Sequence, residues 1–399
     1  MTMREHGAGG LMIFQHGDFA EAWTRFRRSS EEFYGGQRYS VEVVGGLSEA
    51  RPVTVVCCAP RAHDEQLAPG LRSIGLLRDQ AYDFARLRAL TAEIAPALGI
   101  CRAVARPALA AMLGRGVPVL PLLADGLEND GLRALWRNLR LARLLMHPLV
   151  PGVCNHSLNA TRSLHRAIRY PRARLAPWDW APLEADAAPR RAPPAGRPFT
   201  IFYAGAIVEA KGVGDCLAAL ALLRGRGIDV RMSFAGRGEV EAMQAQARRL
   251  GVAELATFLG PRPSAEVQAM MRSHDAVAVP SRRSYPEGLP KTLLEGLAAR
   301  GATIVSDHPA FADRVRDGRD VAMFAGGDPA ALADAVARLR ADPALYETLS
   351  RAAPAALARM YVGMRWHRAI ELFLEDPRNR SRWVQAHSLV EVEKRLAAG

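Results

Sequence analysis

The sequence predicts an α/β protein made of two parallel-sheet domains, and three observations predict it. Short uninterrupted apolar runs alternate with helical stretches along the chain, the pattern of βα units whose strands are covered on both faces. At 399 residues the chain is too long for one ordinary domain. A proline-rich stretch without periodicity, 171–198, separates two series of such units.

In the first series the strand candidates are 11–15, 53–58, 101–106, 117–123 and 152–157. In the second they are 199–204, 230–235, 256–260, 276–280, 303–306 and 321–324. Asp328-Pro329 and Asp342-Pro343 each place an N-cap acid before a proline in the first helical position. The joint carries Pro177, Pro182, Pro189, Pro193, Pro194 and Pro198. The expected organisation is therefore a Rossmann-like domain over 1–180, a linker over 181–198, a second Rossmann-like domain over 199–376 and a helical tail over 377–399. In folds of this class ligands bind beyond the carboxyl ends of the strands, so a cleft between the two parallel sheets is the expected site.

Composition narrows the function. An apolar fraction of 49% and a charged fraction of 24% are those of a globular protein with a full core, which excludes fibrous and largely disordered classes. No run approaches the ~18 apolar residues of a membrane-spanning helix. Residues 1–10 hold no apolar core of a secretion signal, so a cytoplasmic protein is expected. The formal net charge is +12, with 26 basic against 18 acidic residues in 1–200. Such an excess suits an anionic lipid surface or a phosphorylated substrate. Nucleic acid is the weaker partner, because no recognised nucleic-acid module appears and aromatics are not interleaved with the basic residues. Of the 53 basic residues only Lys211, Lys291 and Lys394 are lysines, so a lysine in this background carries some information. Cys57, Cys58, Cys101, Cys154 and Cys216 are scattered, lack zinc-site spacing and read as buried free thiols. No metal centre is expected.

Four segments carry candidate chemistry. The first, Ser281-Arg-Arg-Ser-Tyr-Pro-Glu287-Gly288-Leu289-Pro290-Lys291-Thr292-Leu-Leu-Glu295, follows a strand and enters an amphipathic helix. Pro290 suits the first helical position, and the free amides of the first turn suit phosphate. Glu287 in the loop and an exposed Glu295 early in the helix stand ready to hold hydroxyls. Read in isolation, the two glutamates only complement the helix dipole. The second segment, Phe202-Tyr-Ala-Gly205-Ala206-Ile-Val-Glu-Ala-Lys211-Gly212, places a lysine at the edge of a glycine turn, within reach of a diphosphate. The third is Phe234-Ala-Gly236-Arg237-Gly238-Glu239, and the fourth is Phe258-Leu-Gly260-Pro261-Arg262-Pro263.

In order and spacing these four segments resemble the C-terminal domain of family-4 glycosyltransferases with the GT-B fold, over 199 to about 376. The resemblance implies a metal-independent enzyme without a cofactor that transfers sugar with retention from a nucleoside-diphosphate donor of UDP or GDP type. The chain indeed has no Asp-x-Asp pair. Carried over by position, Glu287 contacts the donor sugar as a catalytic residue. The amides around Gly288 and Leu289 contact phosphate, Glu295 the ribose and Lys211 the diphosphate, while Arg237 and Arg262 line the base or sugar. In the N-terminal half, the acceptor side, Phe33-Tyr-Gly35-Gly36-Gln-Arg38 looks like the family's glycine-rich loop, which places Gly35 and Gly36 against the donor phosphate.

Three departures stand out. Relatives carry an Arg at the place of Ala206, with Arg282 or Arg38 as the candidate compensation. Relatives carry a His near the donor sugar where this chain has Leu-Ala-Asp125-Gly126, so Asp125 is the nearest catalytic substitute. The loop Asp307-His308-Pro-Ala-Phe-Ala-Asp313 stands where relatives have a double Gly and a Glu. His16, at the end of the first strand, reads more simply as structural than as an acceptor-side group.

The implied acceptor is a surface-polysaccharide or glycolipid intermediate at the inner face of the cell membrane, with a soluble small-molecule acceptor or a catalytically silent nucleotide-sugar scaffold as alternatives. In 132–146, Arg133, Arg137 and Arg140 share one helical face and Leu132, Leu135, Trp136 and Leu139 another. The plain expectation puts that apolar side in the core. The other reading rests it on an anionic membrane.

Overall fold

The computed structural model describes residues 9–28, 32, 36–124, 126–127, 131–180, 182–285, 287–288, 290–361 and 363–398. The described residues divide into two compact units.

The first unit opens with β1 (Leu11–His16), β2 (Val53–Cys58), β3 (His63–Ala68) and β4 (Leu71–Leu76), followed by β5 (Leu98–Cys101), β6 (Val119–Leu123), β7 (Val153–His156) and β8 (Leu175–Asp179). All neighbours run parallel except the β3–β4 hairpin. β1 shows why the sheet is buried on both sides. Its Leu11 and Ile13 enter one apolar cluster and its Met12 and Phe14 another, all at most 1% exposed. The expected strand 101–106 sits earlier, at β5, because the proline after Arg106 starts the helix Arg106–Leu113.

The second unit contains β9 (Phe199–Ala204), β10 (Val230–Ala235), β11 (Ala256–Gly260), β12 (Ala276–Val279), β13 (Ala302–Ser306) and β14 (Ala322–Phe324). They form one fully parallel sheet in the order β11-β10-β9-β12-β13-β14. The chain order reverses between β9 and β12. Loops leaving the carboxyl ends of those two strands diverge there and leave room for a ligand.

The chain then returns to the first unit. Its β15 (Met364–Arg365) pairs with β8 and completes a nine-stranded sheet, β15-β8-β7-β6-β5-β1-β2-β4-β3. The helix Trp366–Glu375 buries Trp366, Ile370 and Phe373 beside Leu11 and Val55, and Leu389 and Val392 of the last helix join the opposite cluster. The expected boundaries are corrected accordingly. Residues 363–376 and the tail 377–398 pack with the first unit, because apolar stripes on both helices need a sheet face to cover. Of the expected linker 181–198, residues 182–198 belong to the second unit, held by Asp186 N–H to the Ala298 carbonyl at 2.8 Å and by Arg190 N–H to Ser350 Oγ at 2.7 Å.

Candidate functional site

The carboxyl ends of β9 and β12 bring the predicted donor-side residues together. After β9 the chain makes a glycine turn and a short 3-10 helix, Glu209–Lys211. Gly212 follows with φ +76°, and a Cβ there would stand 2.1 Å from the Pro280 carbonyl oxygen. Only glycine lets this turn press against the end of β12. Lys211 consequently reaches Glu287, 76 residues away, and forms an ion pair with it.

That pair is largely dry, with the Lys211 and Glu287 side chains 16% and 7% exposed. Ser281 Oγ donates to Glu287 Oε1 at 2.6 Å, and the Lys211 ammonium lies 4.4 Å from the centre of the Tyr285 ring. Burial first, and the Glu287 charge second, push the Tyr285 phenol above its ordinary pKa, so at neutral pH it stays a neutral ring face for the ammonium. His308 braces this loop. Its Nδ1 accepts from Ala310 N–H at 3.0 Å, which leaves the proton on Nε2 to donate to the Tyr285 carbonyl at 2.9 Å.

The helix Lys291–Ala298 starts one residue later than expected, with Pro290 as its N-cap. Glu295 is 5% exposed, which corrects the expectation of an exposed glutamate. The reason is helical phase, since Leu293, Glu295, Gly296 and Leu297 all fall on the buried side. Lys291 stands 2.7 Å from Glu295 Oε1 and donates to Ser264 Oγ at 3.1 Å. The ammonium is close to Oε1 but poorly aligned, and among the described residues this buried oxygen has no hydrogen bond. A buried carboxylate oxygen in that state is a strong acceptor awaiting a donor. On the same helix Thr292 Oγ1 donates to the Ala204 carbonyl at 2.8 Å, fastening it to β9.

The turns after β9 and β10 zip together. Ile207 N–H donates to the Arg237 carbonyl at 2.8 Å and Glu239 N–H to the Ile207 carbonyl at 2.7 Å. A Cβ on Gly236 would stand 1.8 Å from the Gly205 carbonyl oxygen, so a glycine is required for this approach. Arg237 is thereby presented exposed at the rim. Arg262 is half-buried and lies 3.7 Å from Glu266. Gly288 is described in the loop, whereas Leu289, Asp125 and Gly35 lie outside the described residues.

Neither expected substitute for an Arg at Ala206 is free. Arg282 grips Asp215 through Nε and Nη2 at 2.8 and 2.6 Å and also Glu209 at 2.5 Å, and Asp215 above all raises its pKa. Arg38 binds Glu42 at 2.7 Å. In the first unit Gly36 caps the helix Gln37–Leu47 with φ +89°, and the Trp180 ring passes 3.0 Å from where its Cβ would be. His16 is exposed, with Nε2 2.6 Å from the Tyr82 hydroxyl.

The sequence reading set the loop near Tyr285 beside those of Arg237 and Arg262 as deciding the donor's base and sugar, but it missed Ser281, Lys291 and His308 as parts of this site. For Lys291 a signal existed, its rarity in an arginine-rich chain. For the others, only the folded contacts reveal the role.

Residues 185–356 match the model of the family described as Glycosyl transferases group 1. A phosphatidyl-myo-inositol mannosyltransferase of Mycobacterium leprae is 34% identical over 161 residues, 40% of this chain and 42% of that protein. A D-inositol 3-phosphate glycosyltransferase of Corynebacterium jeikeium is 30% identical over 175 residues, 41% of each. The chain thus spans well under half the length of these curated relatives. Among solved structures, the Anabaena protein Alr3699/HepE in complex with UDP superposes with a TM-score of 0.64 at 14% identity, covering 97% of this chain and 98% of that one. The lipopolysaccharide outer core galactosyltransferase WaaB in its apo form gives 0.63 at 16% identity, over 90% and 98%. The fold is the α/β GT-B architecture expected from the sequence, with two parallel-sheet units.

Proposed function

We propose, from a second unit whose residues 185–356 match the model of glycosyl transferases group 1, that this chain moves a sugar from a nucleoside diphosphate to a lipid-linked or glycan acceptor, with retention and without a metal at the donor. The observation that carries this reading is the pair of buried carboxylates flanking one loop at the β9/β12 reversal. Glu295 Oε1 has the Lys291 ammonium near it but no hydrogen bond among the described residues, and Glu287 is held beside a lysine. Glu295 then accepts from the ribose hydroxyls, Lys211 faces the diphosphate, and Glu287 accepts from the donor sugar. The amides at Gly288 and the helix start meet phosphate, and Arg237 and Arg262 line the donor's far end. Gly36, with Gly35 before it, brings backbone close to phosphate, and Asp125 takes the place of a sugar-binding His.

In the transfer, the bond from the anomeric carbon to the diphosphate oxygen breaks, and the acceptor oxygen bonds to that carbon on the same face. The departing diphosphate takes the acceptor's proton, so no protein nucleophile is needed. The protein's part is positioning and charge: Lys211 stabilises the growing negative charge on the diphosphate, while Glu287 faces the cationic sugar. The UDP held by the Anabaena neighbour supports a UDP-type donor.

A lipid-linked acceptor is supported by the helix Gly131–Leu145. Its core side is Ala134, Asn138, Leu141 and Leu145, so the expectation that its leucine and tryptophan side is buried is overturned. Leu132 is 76% and Trp136 64% exposed, with Leu135 and Leu139 beside them. Exposed Arg133, Arg137, Arg140 and Arg143 flank this stripe. An apolar stripe edged by guanidiniums suits the interface of an anionic membrane. Among the described residues no helix is long and apolar enough to cross a membrane. We place the chain peripherally on the inner face of the cell membrane.

A soluble acceptor is the second reading, favoured by the inositol-phosphate relative. Calorimetric titration with UDP, GDP and ADP in EDTA tests the donor site, and saturable binding of one of them is expected. Binding of none refutes it. Sedimentation with phosphatidylglycerol vesicles tests the acceptor side. Wild type pellets at low salt and Leu132→Ser/Trp136→Ser does not, whereas a wild type that stays in the supernatant favours the soluble acceptor.

A further inference from the structure

In the first unit, three metal-ligating side chains from separate elements converge. Asp18 follows β1 and caps the helix Phe19–Arg28, its Oδ1 accepting from Glu21 N–H at 3.0 Å. Cys57 lies in β2 and is fully buried, and His63 opens β3 with its side chain 2% exposed. One carboxylate oxygen, the sulfur and a ring nitrogen all lie within 4.8 Å of one another.

The ring is seated deliberately. His63 is paired across the hairpin with Gly75, where a Cβ would stand 2.2 Å from Nδ1. Any side chain at position 75 would expel the imidazole. Its Nε2 lies 3.0 Å from Ser73 Oγ, a hydroxyl that is itself fully buried. With Nε2–H donating to that hydroxyl, Nδ1 carries the lone pair. Nδ1 is buried, has no hydrogen-bond partner among the described residues, and stands 3.9 Å from Asp18 Oδ2, too far for a hydrogen bond. An unpartnered buried nitrogen beside a carboxylate and a sulfur is costly unless a cation joins them.

We propose that Asp18, Cys57 and His63 form a binding site for a divalent cation of the zinc class, with its fourth position open to water. The mixed N, O and S donor set suits zinc, whereas magnesium and calcium require oxygen ligands throughout. Ser73 acts as the outer partner that fixes the imidazole tautomer. Because the thiolate is the form that binds metal, the Cys57 proton leaves to solvent as the ion enters. The Arg61 guanidinium, 3.4 Å from Asp18 Oδ2 and 54% exposed, gives way to the ion by swinging into water. The ion then ties the helix cap after β1 to β2 and to the hairpin.

The test uses the full chain, stripped with a chelator and titrated with Co2+ alone. One equivalent is expected to produce a thiolate-to-cobalt charge-transfer band with tetrahedral ligand-field intensity, and Zn2+ should displace it. Cys57→Ser should abolish the band while Cys58→Ser keeps it. Asp18→Asn retains the helix cap and so the fold, and it should weaken binding at least tenfold. Ser73→Ala should weaken it about 10–100-fold through the imidazole. No band in the wild type, or a band that survives Cys57→Ser or Asp18→Asn at wild-type affinity, overturns the assignment.

Discussion

Glu287→Gln removes the charge that holds Lys211 while keeping the shape of the side chain, and its consequences can be worked from the pair's surroundings. An exposed ion pair is worth about 0.2–1 kcal/mol, and breaking a fully buried one costs about 3–5 kcal/mol. Here the two side chains are 16% and 7% exposed, and the Tyr285 ring face remains for the stranded ammonium. The loss in stability of the second unit should therefore fall between these limits, at about 2 kcal/mol. Lys211→Met strands the carboxylate with Ser281 as its donor among the described residues and should cost a similar amount. The double variant strands nothing, so a double-mutant cycle read by calorimetric unfolding should show a coupling of about 1–3 kcal/mol. The same variants separate binding from transfer. Glu287→Gln frees the ammonium for phosphate, so UDP binding should hold or tighten while sugar transfer falls about 100-fold, or about 2.7 kcal/mol. Lys211→Met should weaken UDP binding about tenfold or more, as expected for a lost charge-assisted hydrogen bond. Additive single variants, within about 0.5 kcal/mol, refute the pair as a unit. Equal losses of UDP binding and transfer in Glu287→Gln refute its role toward the sugar.

Glu295→Gln should lower nucleoside-diphosphate affinity about 10–100-fold by calorimetry, because a charged acceptor to the ribose is lost, and Glu295→Ala should in addition lower thermal stability, since the residue is 5% exposed. Unchanged affinity in Glu295→Gln would exclude the ribose role. The pH dependence of the second unit has a defined sign at Asp275. Burial works to raise its carboxyl pKa, but Arg197, at 2.6 and 2.8 Å, and Thr200 prevail and hold it below the ordinary value. A folded pKa below the unfolded one means stability that is full above about pH 4 and lost as pH falls through the depressed value. Acid titration followed by tryptophan-independent circular dichroism should show this loss in wild type and a shallower one in Asp275→Asn. Gly36→Ala should cost the first unit about 1–3 kcal/mol, through a φ of +89° and the Trp180 ring at 3.0 Å, and an unshifted melting temperature would show that the loop relaxes freely.

Local pattern was enough for much of this protein. Apolar runs of strand length gave away β1, β2, β6, β7 and all six strands of the second sheet, most plainly where a strand such as β6, β12 or β13 is buried on both faces and has no polar alternation to disguise it. The loop 281–290 and its helix were legible for a similar reason: glycine, proline and early acids mark a helix start whatever the partner. The β3–β4 hairpin was not legible, since β3 reads His-Asp-Glu-Gln-Leu-Ala, an edge strand whose side chains are half wet. Nor was the face of the helix Gly131–Leu145. Periodicity shows that a helix has an apolar side, but only the neighbouring sheet decides which side is covered, and here it covers Ala134, Asn138, Leu141 and Leu145. The return of residues 363–398 to the first unit depends on the same kind of long-range choice. The pairing of Lys211 with Glu287 across 76 residues, the burial of Glu295, and the meeting of Asp18, Cys57 and His63 are tertiary facts of this kind. Sequence by itself determined which residue types and turns were present and therefore the fold and the loop that matters. The tertiary structure decided which charges neutralise one another and which polar atoms are left without a partner, because those depend on distances between segments that no local period encodes.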